Sequence, residues 1–221
     1  MTTPSQRQMY LEDEGDAWFQ QNQKVNADQV SNWIYPDPLA DWLEHLPWPC
    51  GPEVSVSEVG CGQGLRLTRI RQAKSWSVVG LDPSEKANAA SKAAGCQEMM
   101  GAVETLPLKD HAVDLLIYGF CLYLYVRNHL FRIAAEAHRV LTPKACLAIL
   151  DFWSPHQVSN TYHHLPGIQS YTDSPPCMFN WNPFYAITYH RLRHHTTRAY
   201  TNYPQEWLAS RLLRRCDPAA G

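Results

Sequence analysis

Three glycines and two acidic residues form the part of the sequence best suited to ligand chemistry. The run Glu58-Val-Gly60-Cys-Gly62-Gln-Gly64 has glycine at alternate positions, which permits a tight turn with positive φ and lets the backbone approach a ligand closely. Asp82 follows 18 residues after Gly64. A carboxylate at the tip of a neighbouring strand can accept hydrogen bonds from both hydroxyls of a ribose. Together these residues predict a binding site for a nucleoside-like ligand.

Side chains that could move a proton lie further along the chain. His163 and His164 stand in an irregular stretch beside prolines, and histidine suits general-base work because its ordinary pKa lies near about 6.5. Asp151 could orient a histidine or a substrate, and Tyr123 could belong to an apolar aromatic wall. We take these four as candidate catalytic residues, with packing or surface roles as the alternative for each.

Other histidines and the cysteines are expected to be structural. Residues 184–192 have helical periodicity, so His190, His194 and His195 are expected to cap the end of a helix. The seven cysteines are scattered without a C-x-x-C pair, which suits neither a disulfide framework nor a zinc site. We therefore expect reduced thiols and no bound metal.

Alternating strands and helices must position these residues. Patterning predicts strands, the third of them weak, over residues 54–59, 76–81, 97–102, 114–118 and 145–152, and a terminal strand over 207–213. Helices are expected over residues 65–73, 84–94 and 130–141, with Ser84 as an N-cap and Gly95 as a C-terminal stop. Four β–α alternations followed by a strand predict an α/β fold with a doubly wound, mainly parallel sheet.

Length and composition limit the class of protein. The chain has 221 residues, 45% hydrophobic and 18% charged, a globular balance that excludes a disordered protein or a coiled coil. Apolar runs are too short to span a bilayer and the N-terminus is polar, so we expect neither a membrane protein nor a signal-peptide precursor. A cytoplasmic location and a monomer or homodimer follow as expectations.

Charge is unevenly distributed along the chain. Residues 191–221 carry a net charge of +4, which leaves −6 on residues 1–190. A basic segment on an acidic body could face an anionic substrate, or it could be a solvated strand end. The overall net charge of −2 gives no general attraction for nucleic acid or an anionic membrane.

The acidic residue before the glycines decides between two ligand classes. The dinucleotide pattern G-x-G-x-x-G would need glycine at position 65, which is Leu65. Glu58 would also repel a pyrophosphate but suits a cationic amino-acid group. The pattern E-x-G-x-G-x-G resembles motif I of class I S-adenosylmethionine (SAM) dependent methyltransferases, and we therefore expect SAM, with S-adenosylhomocysteine (SAH) as its product.

Further segments over about residues 50–152 resemble the same family. Gly80-Leu-Asp82-Pro83-Ser84 resembles its second motif, in which the acid holds the ribose. The segment from Gly101 to Pro107 resembles the one that lines the adenine, so Val103 and Glu104 are implied in cofactor binding. Ala102 stands where many relatives have Asp, which removes a side-chain bond to the adenine.

The resemblance also implies an architecture. It implies a Rossmann-like sheet of seven strands with helices on both faces. Residues 1–45 would form an N-terminal helical lid, with Trp18 and Phe19 over the cofactor, or else pack on the sheet edge. Residues 46–221 would form the methyltransferase domain, with a substrate-side insertion at about 153–203. Phe120, after the fourth strand, is a further implied cofactor contact.

Three functions stay open at this stage. The first is methyl transfer by in-line displacement to a small-molecule acceptor, for example a hydroxyl or amine of a sugar or nucleotide sugar, as looser resemblance to a bacterial small-molecule or surface-sugar subgroup implies. The second is an RNA or protein methyltransferase that uses the basic C-terminal segment. The third is a SAM-binding module without turnover.

Overall fold

The structure is a computed structural model of the 221-residue chain. It describes residues 51–162, 167–172, 182–197 and 199–217, together with residues 15–17, 19, 20, 37, 39, 43, 46, 48 and 179. Trp18, His163 and His164 lie outside the described residues. Their predicted roles therefore stay predictions.

Nine strands and three α-helices can be given bounds in the described part, beside three short 3-10 helices and helical residues such as 15–17. The strands are β1 (Ser55–Val59), β2 (Ser77–Asp82), β3 (Gln97–Met100), β4 (Val113–Gly119), β5 (Leu141–Phe152), β6 (Val158–Thr161), β7 (Gln169–Thr172), β8 (Tyr185–His194) and β9 (Trp207–Arg215). The helices are α1 (Leu65–Lys74), α2 (Glu85–Ala93) and α3 (Leu130–Val140). None of these helices has the length and hydrophobicity that a membrane crossing requires.

Seven strands form one sheet in the order β3-β2-β1-β4-β5-β9-β8. β1 lies between β2 and β4, and its Val56 is in register with Val78 and Leu115. β9 is antiparallel to both of its neighbours, and the other strands run in one direction. The expected mainly parallel, seven-stranded sheet is therefore confirmed. The carboxyl ends of β1, β2, β4, β5 and β8 meet at one edge, called here the carboxyl edge.

Apolar side chains cover both faces of the sheet. On one face Leu67 and Ile70 of α1 pack with Val56 and Ile117. On the other face Ile133 of α3 belongs to a cluster with strand residues of β4 and β5. Burial on both faces explains the nearly continuous apolar runs of the central strands.

Both ends of the second helix, α2, could be predicted from local signals in the sequence. The Ser84 hydroxyl accepts a hydrogen bond from the Ala87 N–H at 3.0 Å, so it is the N-cap of α2. Gly95, two residues beyond the helix, has φ +84°. Both predictions for the ends of this helix are confirmed.

One predicted element is wrong, and so is the count of four β–α alternations. Residues 184–192 do not form a helix, because Tyr185–His194 is strand β8 paired with β9. Tyr, Ile and Thr favour a pleated strand, and pairing with β9 outweighs the weak helical spacing. The third β–α alternation also lacks its helix, since residues 101–112 connect β3 to β4 through a turn in which Ala102 is bridged to Thr105.

Candidate cofactor and substrate site

The glycine turn connects β1 to α1 at the carboxyl edge. Gly60, Gly62 and Gly64 have φ of +74°, +54° and +67°, the left-handed region that residues with a Cβ rarely adopt. The Gly60 N–H donates to the Leu81 carbonyl at 2.8 Å, which ties the turn to the end of β2. The three glycines are therefore required by the backbone of this turn.

Only one of these glycines faces free space among the described atoms. A Cβ added to Gly64 would lie 2.1 Å from Ser91 Oγ, and one added to Gly60 would lie 3.0 Å from the Cβ of Cys121. A Cβ added to Gly62 would have no described atom within 4 Å. The middle of the turn is thus the place where a ligand can approach the backbone.

Asp82 ends β2 directly beside this free space. Its carboxylate accepts the Gly62 N–H at 3.1 Å and, across Pro83, the Ser84 N–H at 2.9 Å. Burial raises the pKa of Asp82 to about 6, against the two backbone hydrogen bonds that lower it. Each carboxylate oxygen has two lone pairs, so Asp82 keeps acceptor capacity for hydroxyls of a ligand.

Glu58 lies one strand further along and is deeply buried. Its Oε1 accepts a hydrogen bond from Arg66 Nη1, and Arg66 Nε donates to Asp37 at 2.7 Å. Burial raises the pKa of Glu58 to about 7, although the Arg66 charge lowers it. The acid predicted to meet an ammonium group is therefore held by an arginine.

The segment predicted to line an adenine folds back on α3 and the turn before it. Val103 is 1% exposed and belongs to the core, so its side chain packs inward. Glu104 is also buried, and its Oε1 lies 2.9 Å from His129 Nδ1. Its backbone carbonyl accepts a hydrogen bond from Arg132. Cofactor contacts from this segment stay a prediction.

Phe120 occupies a strained position at the end of β4. Its φ of +55° is uncommon for a residue with a bulky side chain, and such strain is typical of functional sites. Its ring lies 5.7 Å from the ring of Phe152, at the end of β5. Tyr123 packs edge-on against Phe152 at 5.3 Å. These three rings form an aromatic wall at the carboxyl edge, called here the aromatic wall.

Asp151 uses its carboxylate to hold the backbone behind this wall. Its oxygens accept the N–H groups of Leu122 at 2.8 Å, Tyr123 at 3.2 Å and Phe152 at 2.8 Å. Burial raises its pKa to about 7, although these bonds lower it. In the described contacts Asp151 therefore positions the backbone at Leu122, Tyr123 and Phe152. Its predicted contact with a histidine is not among these contacts.

His195 reaches the aromatic wall, which sequence reasoning missed because it placed this residue at a helix end. β8 ends at His194, and the His195 ring lies 6.2 Å from the ring of Phe152. His195 Nδ1 lies 3.3 Å from the Glu206 carbonyl. Because a carbonyl only accepts, Nδ1 carries the proton there and Nε2 is the basic nitrogen. The β-forming residues Tyr185, Ile187 and Tyr189 were the signal in the sequence that favoured a strand here.

The N-terminal segment touches the site through Asp16. Its Oδ1 accepts the Ser84 hydroxyl at 2.5 Å and the Lys86 N–H at 3.2 Å, at the start of α2. Phe19 is 4% exposed. These contacts place part of residues 1–45 beside Asp82, and a direct contact of Phe19 with a cofactor stays a prediction.

The basic C-terminal segment is largely engaged within the fold. Arg211 Nε donates to His190 Nδ1 at 2.9 Å, and its guanidinium lies 5.4 Å from the ring centroid of Trp153. Arg215 pairs with Asp217 at 2.6 Å. Arg211 and Arg215 are both buried. Within the described residues, no group of three or more His, Cys, Asp or Glu side chains is placed to hold a metal ion.

The structure thus places a half-buried acid beside a glycine turn at the carboxyl edge of a doubly wound sheet, the part of such a sheet where nucleoside ligands bind. Residues 57–149 match the family model described as a methyltransferase domain. This match identifies a SAM-dependent methyltransferase domain over these residues, which implies SAM as the cofactor and SAH as its product. The curated proteins give no match in sequence.

Solved structures share the fold at low identity. One is a methyltransferase in complex with the Haloferax volcanii Trm112 methyltransferase activator, with a TM-score of 0.68 and 16% identity over 93% of this chain and 99% of that chain. Another is a SAM-dependent methyltransferase from Methanosarcina mazei, with a TM-score of 0.62 and 15% identity over 83% of this chain and 99% of that chain. A third is geranyl diphosphate C-methyltransferase from Streptomyces coelicolor A3(2), with a TM-score of 0.62 and 12% identity over 81% of this chain and 78% of that chain.

The residues of the site fit this cofactor. Among the described residues, the space over Gly62 gives room for a ligand against the backbone, and the half-buried carboxylate of Asp82 stands beside it. Glu58 Oε2 is buried and has no hydrogen-bond partner among the described residues, as expected of an acceptor reserved for a ligand.

Proposed function

We propose that the protein transfers a methyl group from SAM to a small-molecule acceptor by in-line displacement. The observation that carries this proposal is the space over Gly62, where no described atom lies within 4 Å of an added Cβ, beside the half-buried carboxylate of Asp82. Glu58 is buried on the adjacent strand. SAM supplies an activated methyl group on a sulfonium. Asp82 would bind the ribose hydroxyls, and Glu58 the ammonium of the amino-acid end.

The acceptor would bind against the aromatic wall. Phe120, Tyr123 and Phe152 present ring surface at the carboxyl edge, which excludes water and can stabilise a sulfonium by cation–π attraction. Asp151 fixes the backbone that carries Tyr123 through its hydrogen bonds to Leu122 and Tyr123. Methyl transfer needs mainly such alignment, because displacement from a sulfonium requires little covalent help from the protein.

A hydroxyl acceptor also needs a general base. His163 and His164 are the candidates that the sequence indicates. His195 is a further candidate, since its ring lies against Phe152 and its Nε2 is the unprotonated nitrogen of the neutral ring. An amine acceptor makes less demand on this group, because its proton is already labile near neutral pH.

The burial of two arginines in the basic C-terminal segment favours a small acceptor over nucleic acid. Arg211 and Arg215 are buried and bonded within the fold, so they offer little surface for phosphates. Nucleic acid binding through exposed cations would weaken steeply with salt. A sugar or nucleotide sugar remains the proposed acceptor class.

Calorimetric titration with SAH tests the cofactor part of the proposal. We expect saturable binding that Asp82→Ala weakens by at least about tenfold, since a hydrogen bond to a charged group contributes about 1.5–3 kcal/mol. Glu53→Ala removes an exposed carboxylate just before β1, at the opposite end of that strand, and is the matched control. Absence of SAH binding at millimolar ligand would overturn the proposal.

Release of methyl label from SAM then separates the acceptor classes. The panel contains sugars, nucleotide sugars, RNA and unfolded protein. Transfer to a sugar-containing small molecule supports the proposal, whereas transfer only to RNA or protein contradicts it. Tight SAH binding with no transfer to any member would indicate a binding module.

A further inference from the structure

Arg66 stands between two nearly buried carboxylates behind the glycine turn. Its Nη1 donates to Glu58 Oε1, and its Nε donates to Asp37 Oδ2 at 2.7 Å. The side chains of Glu58 and Asp37 are 3% and 8% exposed, and that of Arg66 is 16% exposed. At such burial an ion pair is weakly screened by solvent, so the charge of each member strongly affects the others.

Asp37 is itself fixed in place. Its Oδ1 accepts the Leu39 N–H at 2.9 Å, and its Oδ2 is the acceptor for Arg66. Leu39 is fully buried in the core cluster that also contains residues of α1 and β1. The N-terminal segment thus reaches the motif acid through a chain of two ion pairs, Asp37 to Arg66 and Arg66 to Glu58.

This chain lies at the carboxyl edge and not in the interior of the sheet. A Cβ added to Gly119, the last residue of β4, would lie 2.6 Å from Arg66 Nη1 and 2.8 Å from Glu58 Oε1. Glu58 Oε2 is buried and has no partner among the described residues. One oxygen of Glu58 is therefore used by Arg66, and the other is left for a further donor.

The charges of the three groups are unequal. Two ionised carboxylates share one guanidinium, so the chain lacks one positive charge. Asp37 opposes ionisation of Glu58 and Arg66 favours it, and together with burial they set the pKa of Glu58 at about 7. The ammonium of an α-amino acid would supply the missing charge and a donor for Oε2.

We propose that Arg66 and Asp37 are positioning residues that act in opposite directions on the ionisation of Glu58, and thereby set the pH at which the site accepts the ammonium end of its cofactor. This inference rests on the proposed function, because it assigns Glu58 to the amino-acid end of SAM. The proposal explains why Glu58, which would bind the ligand, is also bonded to Arg66.

Other titratable groups also face Glu58. Asp82 at the tip of β2 raises the pKa of Glu58 further. The thiols of Cys61 in the glycine turn and Cys121 after β4 are near, but burial raises the pKa of both thiols, so they stay uncharged. Asp82 and the two thiols are unchanged in the variants below, so differences between variants report on Arg66 and Asp37.

The test compares two ligands across pH. SAH carries the amino-acid end, and 5′-methylthioadenosine lacks it but keeps the adenosine. Dissociation constants of both are measured by calorimetry from about pH 6 to about pH 8.5. For the unmodified protein, SAH affinity should rise as the pH passes through about 7, because Glu58 becomes ionised. Affinity for 5′-methylthioadenosine should rise only near the lower end of this range, where Asp82 ionises, and should stay nearly constant above about pH 7.

The two variants should displace this rise in opposite directions. Arg66→Met removes the stabilising charge, so the rise moves to higher pH and SAH affinity near pH 7 falls by about tenfold for each pKa unit of displacement. Asp37→Asn removes the opposing charge but keeps an acceptor for Arg66, so the rise moves to lower pH. Glu58→Gln should abolish the rise. Arg66→Lys keeps a positive charge, so its rise should lie closer to that of the unmodified protein than the rise of Arg66→Met does.

Controls separate this proposal from structural damage and from failure of the proposed function. Arg69→Met changes an exposed arginine of the same helix and should leave the SAH profile unchanged. Equal loss of SAH affinity at every pH in Arg66→Met, or displacement of both variants in one direction, would overturn the proposal. Binding of 5′-methylthioadenosine without a pH-dependent gain for SAH would overturn it while leaving the nucleoside site intact. Binding of neither ligand would refute the proposed function itself.

Discussion

Replacing single glycines of the turn by alanine separates ligand contact from backbone requirement. Gly62→Ala places a methyl group in the free space, with φ +54° as the only structural penalty among described atoms. Holding alanine in the left-handed region costs about 1 kcal/mol. For a chain of this size that lowers Tm by about 2–4 °C. SAH affinity should nevertheless fall by about tenfold or more, because the methyl occupies the path of the ligand.

Gly64→Ala should instead lower Tm more than it lowers SAH affinity. The new Cβ would lie 2.1 Å from Ser91 Oγ and 3.2 Å from Cys96 Sγ, in addition to the strain of φ +67°. Overpacking adds about 1–3 kcal/mol, so a total near 3 kcal/mol is expected. The corresponding fall in Tm is about 6–12 °C.

Thermal unfolding without ligand and calorimetric titration with SAH measure the two effects. Gly95→Ala serves as the control, since it introduces comparable strain (φ +84°) at the far end of α2, where the contact is with the flexible end of Arg71. It should lower Tm without changing SAH affinity. Unchanged SAH affinity in Gly62→Ala would refute the placement of the ligand, and equal Tm values for the Gly62 and Gly64 variants would refute the steric argument.

Three further outcomes can be measured by thermal unfolding. Lys144 has φ +73° at an exposed position in β5, where the pairing with β4 shifts register, so Lys144→Gly should raise Tm by about 2–4 °C, equivalent to about 1 kcal/mol. Arg215→Met should lower the free energy of unfolding by about 3 kcal/mol by leaving its partners unpaired in a buried place, with no effect on SAH affinity. Burial raises the pKa of Glu58 and Asp151 to about 7 and of Asp82 to about 6, so the folded state holds protons that the unfolded chain releases above about pH 4. Tm without ligand should therefore decrease as the pH rises from about 5 to about 7.5, and Asp82→Asn should make that decrease smaller.

The parts of the fold that could be predicted depend on local signals. Ser84 caps its helix, the alternation over residues 54–59 forms β1, and Asp82 ends the next strand, because each depends on neighbours in sequence. β8 was mistaken for a helix because its strand form depends on pairing with β9. Its pattern of exposure lacks the clean alternation that marks a half-buried strand.

The site shows the same division. The glycines and the two acids could be found from their spacing, since a strand-to-helix turn is a local structure. The link from Asp37 to Glu58 joins residues 21 positions apart through the side chain of Arg66, and the contact of His195 with Phe152 joins the turn after β8 to the end of β5. Spacing carries no signal for such contacts, which arise only when the sheet brings separate segments to one edge.

The carboxylates gathered at one edge bear on how readily spent cofactor is exchanged for fresh cofactor. Glu58 and Asp82 belong to adjacent strands and raise a negative potential over a single turn. SAM bears a sulfonium that its thioether product has lost, so Coulomb attraction favours the incoming molecule over the outgoing one. A site that recognised adenosine alone would hold both equally, so we expect milder product inhibition here than in such a site, most of all at low ionic strength.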